Sequence, residues 1–212
     1  MAFSAADVRY DNMVMYQTPD LGGFQFGVGY SFNADGSQQY RLNGGGEPNV
    51  RAITTGLLYE NGPLEAALTY DQYDDDERGI TVRSWNVAAS YDFEVIKLHA
   101  GFGQTRNGWF SEMEIGDAGL EELSAVDGLK VNSYVVGVSA PMGNSGEILA
   151  AWTMADPRSE DDAKKQNIYS LGYTYALSKR TDLYAIGSYA KNVAFQDDLK
   201  ATLIGVGMSH KF

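Results

Sequence analysis

Few residues in this chain could build a catalytic centre. It has 2 histidines and no cysteine, which argues against thiolate chemistry and a disulfide framework. A serine nucleophile needs a histidine base and a third group to orient it. His99 and His210 have opposite parity in their segments, and neither stands near a Gly-x-Ser-x-Gly turn. An enzyme is therefore not expected, and no pattern asks for a cofactor or a metal. The run Asp74-Asp75-Asp76-Glu77 could gather a divalent cation on its carboxylates, but it lacks the glycine and spaced ligands of a calcium loop and reads as a solvated loop. The charges that recur in a pattern are Arg9, Asp11, Glu60, Glu65, Asp71, Lys97, His99, Glu147 and Lys211. All share the parity of small and polar residues. On a water-facing wall such groups would raise or lower the local concentration of passing ions.

The elements that position these charges are strands. Segments at about 9–17, 24–32, 50–60, 64–72, 82–92, 95–104, 131–140, 147–155, 167–176, 182–191 and 201–212 alternate with period two. In 24–32 every even residue is aromatic or aliphatic, Phe24, Phe26, Val28, Tyr30 and Phe32, while the odd ones are Gln25, Gly27, Gly29 and Ser31. Trp85, Val87, Ala89 and Tyr91 repeat the pattern, as do Tyr169, Leu171, Tyr173 and Tyr175. The opposite parity is mostly Gly, Ala, Ser, Thr, Gln and Asn, too small and polar for a sheet-on-sheet core. No stretch approaches the ~18 apolar residues of a transmembrane helix, yet a barrel strand needs only about ten, half of them lipid-facing. The net charge of −12 argues against nucleic acid as a partner.

The connections alternate in length. Short turns fall at 18–23, 61–63, 93–94, 141–146 and 177–181, and longer polar loops at about 33–49, 73–81, 105–130, 156–166 and 192–200. Within 105–130, residues 119–126 have apolar positions at helical spacing and suggest a short helix at the rim. Short turns at one end and long loops at the other describe an antiparallel up-and-down transmembrane β-barrel with periplasmic and extracellular rims.

The aromatics give an independent check. The outward parity carries Tyr30, Phe32, Tyr70, Trp85, Phe102, Tyr134, Trp152, Tyr169 and Tyr189 toward the long loops, and Tyr16, Phe24, Tyr59, Tyr91, Tyr175 and Phe212 toward the short turns. Pairs such as Phe24 and Tyr30 are separated along one strand by roughly 20 Å, at about 3.3 Å per residue. That broadly matches an apolar band about 25 Å tall between aromatic girdles. The chain ends in a strand that sets Ile204, Val206, Met208, His210 and Phe212 on one face and Gly205, Gly207, Ser209 and Lys211 on the other. The stretch Met1–Asp7 lacks the basic start and apolar core of a signal peptide, so the chain reads as a mature form or a fragment.

Several stretches resemble the trimeric general porins of Gram-negative bacteria, the β-proteobacterial type especially. They are Arg9-Tyr10-Asp11-Asn12-Met13-Val14-Met15-Tyr16, Thr18-Pro19-Asp20-Leu21-Gly22-Gly23-Phe24, Tyr59-Glu60-Asn61-Gly62-Pro63-Leu64, the run from Tyr173 through Leu177-Ser178-Lys179-Arg180-Thr181 to Tyr184, and the ending Gly205–Phe212. The resemblance implies a barrel of about sixteen strands, a homotrimer in the full-length protein, and passive diffusion of ions and small hydrophilic solutes. The alternative is a channel specific for a sugar, peptide or organic acid. It also implies an outer-membrane location among lipid and lipopolysaccharide, with Met208, His210 and Phe212 as the assembly signal. In that family a loop folded into the lumen sets the constriction, and Arg9 and Lys97 would oppose its acids. About eleven strands of sixteen are present, so residues 1–212 are expected to form one partial porin domain. That domain would lack about the first five strands and the constriction loop, and pairing between its two edge strands should be poor.

Overall fold

The computed structural model describes residues 10–34, 50–75, 79–108, 127–158 and 163–211. They form one sheet of 11 antiparallel strands in sequence order. The strands are β1 (Met13–Gln17), β2 (Phe24–Ser31), β3 (Arg51–Asn61), β4 (Leu64–Asp75), β5 (Ile80–Asp92), β6 (Lys97–Arg106), β7 (Lys130–Met142), β8 (Gly146–Pro157), β9 (Gln166–Ser178), β10 (Thr181–Lys191) and β11 (Lys200–His210). No ladder joins β1 to β11 among the described residues, as expected for the two edges.

The register keeps the two parities apart across the whole sheet, because residues directly opposite in an antiparallel ladder share a face. One outward row runs Tyr16, Val28, Thr55, Tyr70, Trp85 and Gln104. One inward row runs Gly27, Gly56, Thr69, Asn86, Gly103, Ser133 and Ala155. The outward face leaves large apolar side chains uncovered, with Ile204 83%, Val206 80% and Leu171 57% exposed. A water-soluble sheet would bury such a face against a second layer.

Local chemistry sets the short turns. At Asn61–Leu64 the chain reverses through Gly62 at φ 58°, a conformation that favours glycine. Ahead of β6, Asp92 Oδ1 accepts from the amide of Glu94 at 2.7 Å, and the Phe93 amide donates to the Ile96 carbonyl.

Three expected boundaries shift. The first strand begins at Met13 rather than at 9, because Asn12 takes φ 51° and breaks the alternation. Most of the expected 73–81 loop is ladder: Tyr73 faces Val82, Asp74 faces Thr81 and Asp75 faces Ile80. Asp74 and Asp75 of the acidic run thus belong to β4, while Asp76 and Glu77 lie outside the described residues, as does the expected helix at 119–126. The third shift is in the connection after β10. Rather than standing at the rim, it turns inward through a short 3-10 turn, Val193–Phe195.

Candidate functional site

The inner face is the candidate site. Register places Glu60, Glu65, Asp71, Lys97, His99 and Glu147 on it, opposite the aromatics. Arg9 lies outside the described residues. Asp11 precedes the break at Asn12, so its position does not follow from strand parity. Its backbone ties it to the sheet, its carbonyl accepting from Ser31 Oγ at 2.5 Å and its amide donating to Ala34.

Toward the short turns, the charges are coupled. Lys97 Nζ donates to both oxygens of Glu65 at 3.0 and 3.1 Å, reaching diagonally over β5. Ser90 Oγ donates to Glu65 Oε2 at 3.1 Å. His99 stands directly opposite Ser90 in the ladder. No hydrogen bond joins Ser90 to His99 among the described residues. Glu65, Ser90 and His99 border a recess of about 450 Å³ with Leu58, Glu60, Ala67, Ala88 and Val135. The constriction-loop acids that the resemblance sets opposite Lys97 are expected outside this chain; among the described residues Lys97 pairs with Glu65 on its own wall, a pairing that needs the register to be seen.

Farther up the wall, Asn86 Nδ2 donates to Thr69 Oγ1 at 3.2 Å, and the Asn86 side chain lies over Gly103, where a Cβ would collide with it. Toward the long loops, Thr54 Oγ1 donates to Asp71 at 2.6 Å. Tyr10 folds in beside Asp71 and Tyr73; its hydroxyl is buried with no hydrogen-bond partner among the described residues, and burial first, then those two neighbours, push its pKa up.

The same end of the wall carries a feature that the alternation did not reveal. Leu129, Val131, Ala155 and Phe195 form a buried apolar cluster, joined by Ala163 and Ile168. Val131, Ala155 and Ile168 point inward from β7, β8 and β9, so Phe195 brings its loop down onto the inner wall. Gln166, fully buried, accepts the Ala194 amide at 2.9 Å, and Asn192 Nδ2 donates to the Lys165 carbonyl at 3.1 Å. The only sequence signal for this was Val193 and Phe195, two large apolar residues inside a polar connection.

On the outward face the aromatics meet across strands. Trp85 and Phe102 have ring centroids 5.2 Å apart, and Phe102 and Tyr134 5.1 Å. Nearer the short turns, the Phe24 and Tyr59 ring centroids lie 4.5 Å apart across β2 and β3, and Tyr91 stacks at 4.5 Å on Phe93 of the turn that follows it. Three outward aromatics turn a polar atom away from the middle of the sheet. Toward the long loops, Tyr70 Oη donates to Gln72 at 2.9 Å and Trp152 Nε1 donates to Asn167 at 3.1 Å. Toward the short turns, Tyr59 Oη accepts from Asn61 Nδ2 at 3.1 Å. This is the orientation an amphipathic ring takes at an apolar–water boundary. Tyr16, Tyr30 and Tyr175 are exposed on the same face. Met208 is 63% exposed there, and His210 Nδ1 meets Thr181 Oγ1 at 2.9 Å. Phe212 lies outside the described residues.

Comparison with known proteins follows the same lines. The family model described as Gram-negative porin matches residues 1–194. An outer membrane porin protein of Bordetella pertussis is 49% identical over 232 residues, covering 100% of this chain and 60% of that protein. Outer membrane porin protein 32 of Delftia acidovorans is 32% identical, covering 94% of this chain and 50% of its own length. The chain thus spans 50–60% of these relatives. Among solved structures, an anion-selective porin from Comamonas acidovorans superposes with a TM-score of 0.71 at 30% identity, over 96% of this chain and 60% of that one. Salmonella typhi OmpF, 16% identical with a TM-score of 0.61, shares the fold.

Proposed function

This chain belongs to the Gram-negative porin family, and from that premise we propose that the full-length protein forms a water-filled channel through the outer membrane for passive diffusion of ions and small hydrophilic solutes. The observation that carries the reading is the opposition of the two faces. One exposes aromatic and aliphatic side chains along every strand, and the other lines up Gly27, Gly56, Thr69, Asn86, Gly103 and Ser133. Lipid suits the first and water the second. Glu65, Asp71, Lys97, His99 and Glu147 are then wall residues, and Arg9 and Asp11, which precede β1 in the sequence, are proposed to join them. The aromatic rows are the two girdles, and the assembled form is a homotrimer.

The Comamonas relative is named anion-selective. Among the described residues on the inward parity, Glu60, Glu65, Asp71 and Glu147 outnumber Lys97 and Lys211, so this part of the wall does not by itself favour anions. The recess beside Glu60, Glu65 and His99 supports a second reading, a channel with a binding site for a polar solute.

Reconstitution of the full-length protein in planar bilayers and liposomes separates these. A diffusion channel gives ohmic current and size-limited sugar entry that does not saturate. Saturable current blocked by one solute class selects the second reading, and absence of size-limited permeation overturns both.

A further inference from the structure

On the inner wall near the short turns, two neighbouring rows of the ladder differ in character. The upper row runs Leu58, Ala67, Ala88, Gly101 and Val135 across β3 to β7. Its two large side chains stand at the ends, and the small residues between them leave a trough. The row below runs Glu60, Glu65, Ser90 and His99 over the first four of those strands. Together the rows form the recess of about 450 Å³, a size within the usual range of small-molecule sites.

The charges of the lower row are unevenly matched. Glu60 lies directly opposite Glu65. Like charges so placed repel, with Cα atoms only about 5 Å apart. Lys97 answers Glu65 through both carboxylate oxygens, and Ser90 donates to the same group. No cation pairs with Glu60 among the described residues. Asp20, in the turn before β2, sets a further carboxylate at the edge of the recess, where its Oδ1 accepts the Gly23 amide. Among the described residues His99 is the one basic side chain on that edge.

The upper row makes a different demand. Leu58 is 45% exposed on the water-facing side of the sheet, so a solute that covers it gains by leaving water. The same solute takes water from Glu60, two residues along β3, and desolvating an unpaired carboxylate is costly. An anion would add repulsion to that cost. A bare metal ion would answer the carboxylate and leave the apolar row uncovered. A solute with an apolar body and a positive head satisfies both rows, and two residues of strand set head and body roughly 7 Å apart.

Resting on the reading of this wall as a channel lining, we propose that the recess is a binding site for small organic ammonium solutes. The apolar body lies on Leu58, Ala67, Ala88 and Val135, and the ammonium group donates to Glu60.

The test uses the full-length protein, with 2-phenylethylammonium as the probe. Binding in detergent is read by NMR saturation transfer from protein to probe, against empty micelles. Binding in planar bilayers is read as saturable block of the ion current. We expect both signals, and roughly tenfold weaker binding to E60Q, the scale of one charge-assisted hydrogen bond. E60D should recover most of the affinity. Two half-molecules should bind more weakly than the probe: 2-phenylethanol, which lacks the charge, and methylammonium, which lacks the body. L58T should weaken the probe and leave methylammonium unchanged, a comparison that stands even if E60Q fails to insert. Equal binding of the probe by native protein and E60Q, or by native protein and L58T, overturns the proposal. So does methylammonium binding as tightly as the probe, which would reduce the recess to an acidic wall screened by any small cation. Equally tight 2-phenylethanol would reduce it to an apolar patch and overturns the proposal as well. Ohmic current that the probe neither blocks nor binds against overturns this site and leaves the channel reading intact. Absence of any current overturns the channel reading instead, and the NMR comparison of native protein with E60Q and L58T still decides the site.

Discussion

The inner wall is built in two ways. From β2 to β6 it is open: glycine, threonine, serine and asparagine alternate with charged residues, and the recess at its short-turn end remains accessible. From β7 to β9, toward the long loops, the same parity carries Val131, Ala155 and Ile168, and the connection after β10 covers them with Phe195. The difference shows that side-chain character on a barrel's inner face reports what touches it. From β2 to β6 the uncovered positions are mostly small or polar, with Leu58 an exposed exception, and the buried apolar patch at β7–β9 marks where a loop comes down. The covering loop also holds a strained backbone. Asn192, Ala194, Phe195 and Asp198 have φ of 55°, 50°, 65° and 59°. Non-glycine residues adopt such angles at a cost of about 1 kcal/mol or more each, so contacts with the wall must hold the loop in place.

The strongest way to break this contrast is to undock the loop. Phe195→Ala removes a buried aromatic anchor worth roughly 2–3 kcal/mol. Gln166→Ala leaves the Ala194 amide without its acceptor, at a cost of about 1–3 kcal/mol. The double variant should free the loop from the wall, so that trypsin cuts at Lys191 or Lys200 faster than in the native protein. In the full-length channel, single-channel conductance should rise. Unchanged cleavage and conductance would show that the cluster does not fix the loop over the lumen.

A smaller effect is expected on the open wall, where tolerance depends on what lies over each glycine. Gly103→Val would drive a side chain into Asn86 and break its hydrogen bond to Thr69. Overpacking of that kind costs about 1–3 kcal/mol. At Gly137, on the same face, a Cβ would meet its nearest atom, the Ala150 carbonyl oxygen, at 3.4 Å, close to ordinary contact. Gly137→Ala should therefore change stability by less than about 0.5 kcal/mol. Urea midpoints for barrels folded into vesicles would compare the two, and equal destabilisation would remove the distinction between covered and uncovered glycines.

The open wall was also the more legible half. Period-two alternation carried the strands and the facing of Glu65, Trp85, Lys97 and Tyr134 directly, because one face meets apolar surroundings and the other does not. It failed where backbone geometry or a distant partner decides. Asn12 breaks the parity that would have extended β1 back to Arg9. The acidic composition at 74–77 hid the ladder that carries β4 up to Asp75. Phe195 and Val193 looked like stray apolar residues in a polar loop, since the side chain that receives the Ala194 amide, Gln166, is 28 positions away. The Lys97–Glu65 pair is invisible for the same reason. Its members are 32 residues apart, and only the register across β5 brings them together.

That pair gives the smallest and most specific test of the open wall. The Lys97 and Glu65 side chains are 28% and 53% exposed, so water screens their attraction, and the pair should contribute little to folding. Its effect should fall on passing ions. Lys97→Gln leaves Glu65 held by Ser90 alone, a net negative charge on the wall where a neutral pair stood. A fixed charge of that sign concentrates cations beside it. In the full-length channel, the reversal potential in a salt gradient should move modestly toward the cation value, and more at low ionic strength, where screening is weaker. Glu65→Gln should move it the opposite way, because Lys97 then stands uncompensated. Two shifts of opposite sign locate the pair beside the ion path. Shifts of the same sign, or none at either site, would remove it from that path and leave Lys97 an ordinary wall residue.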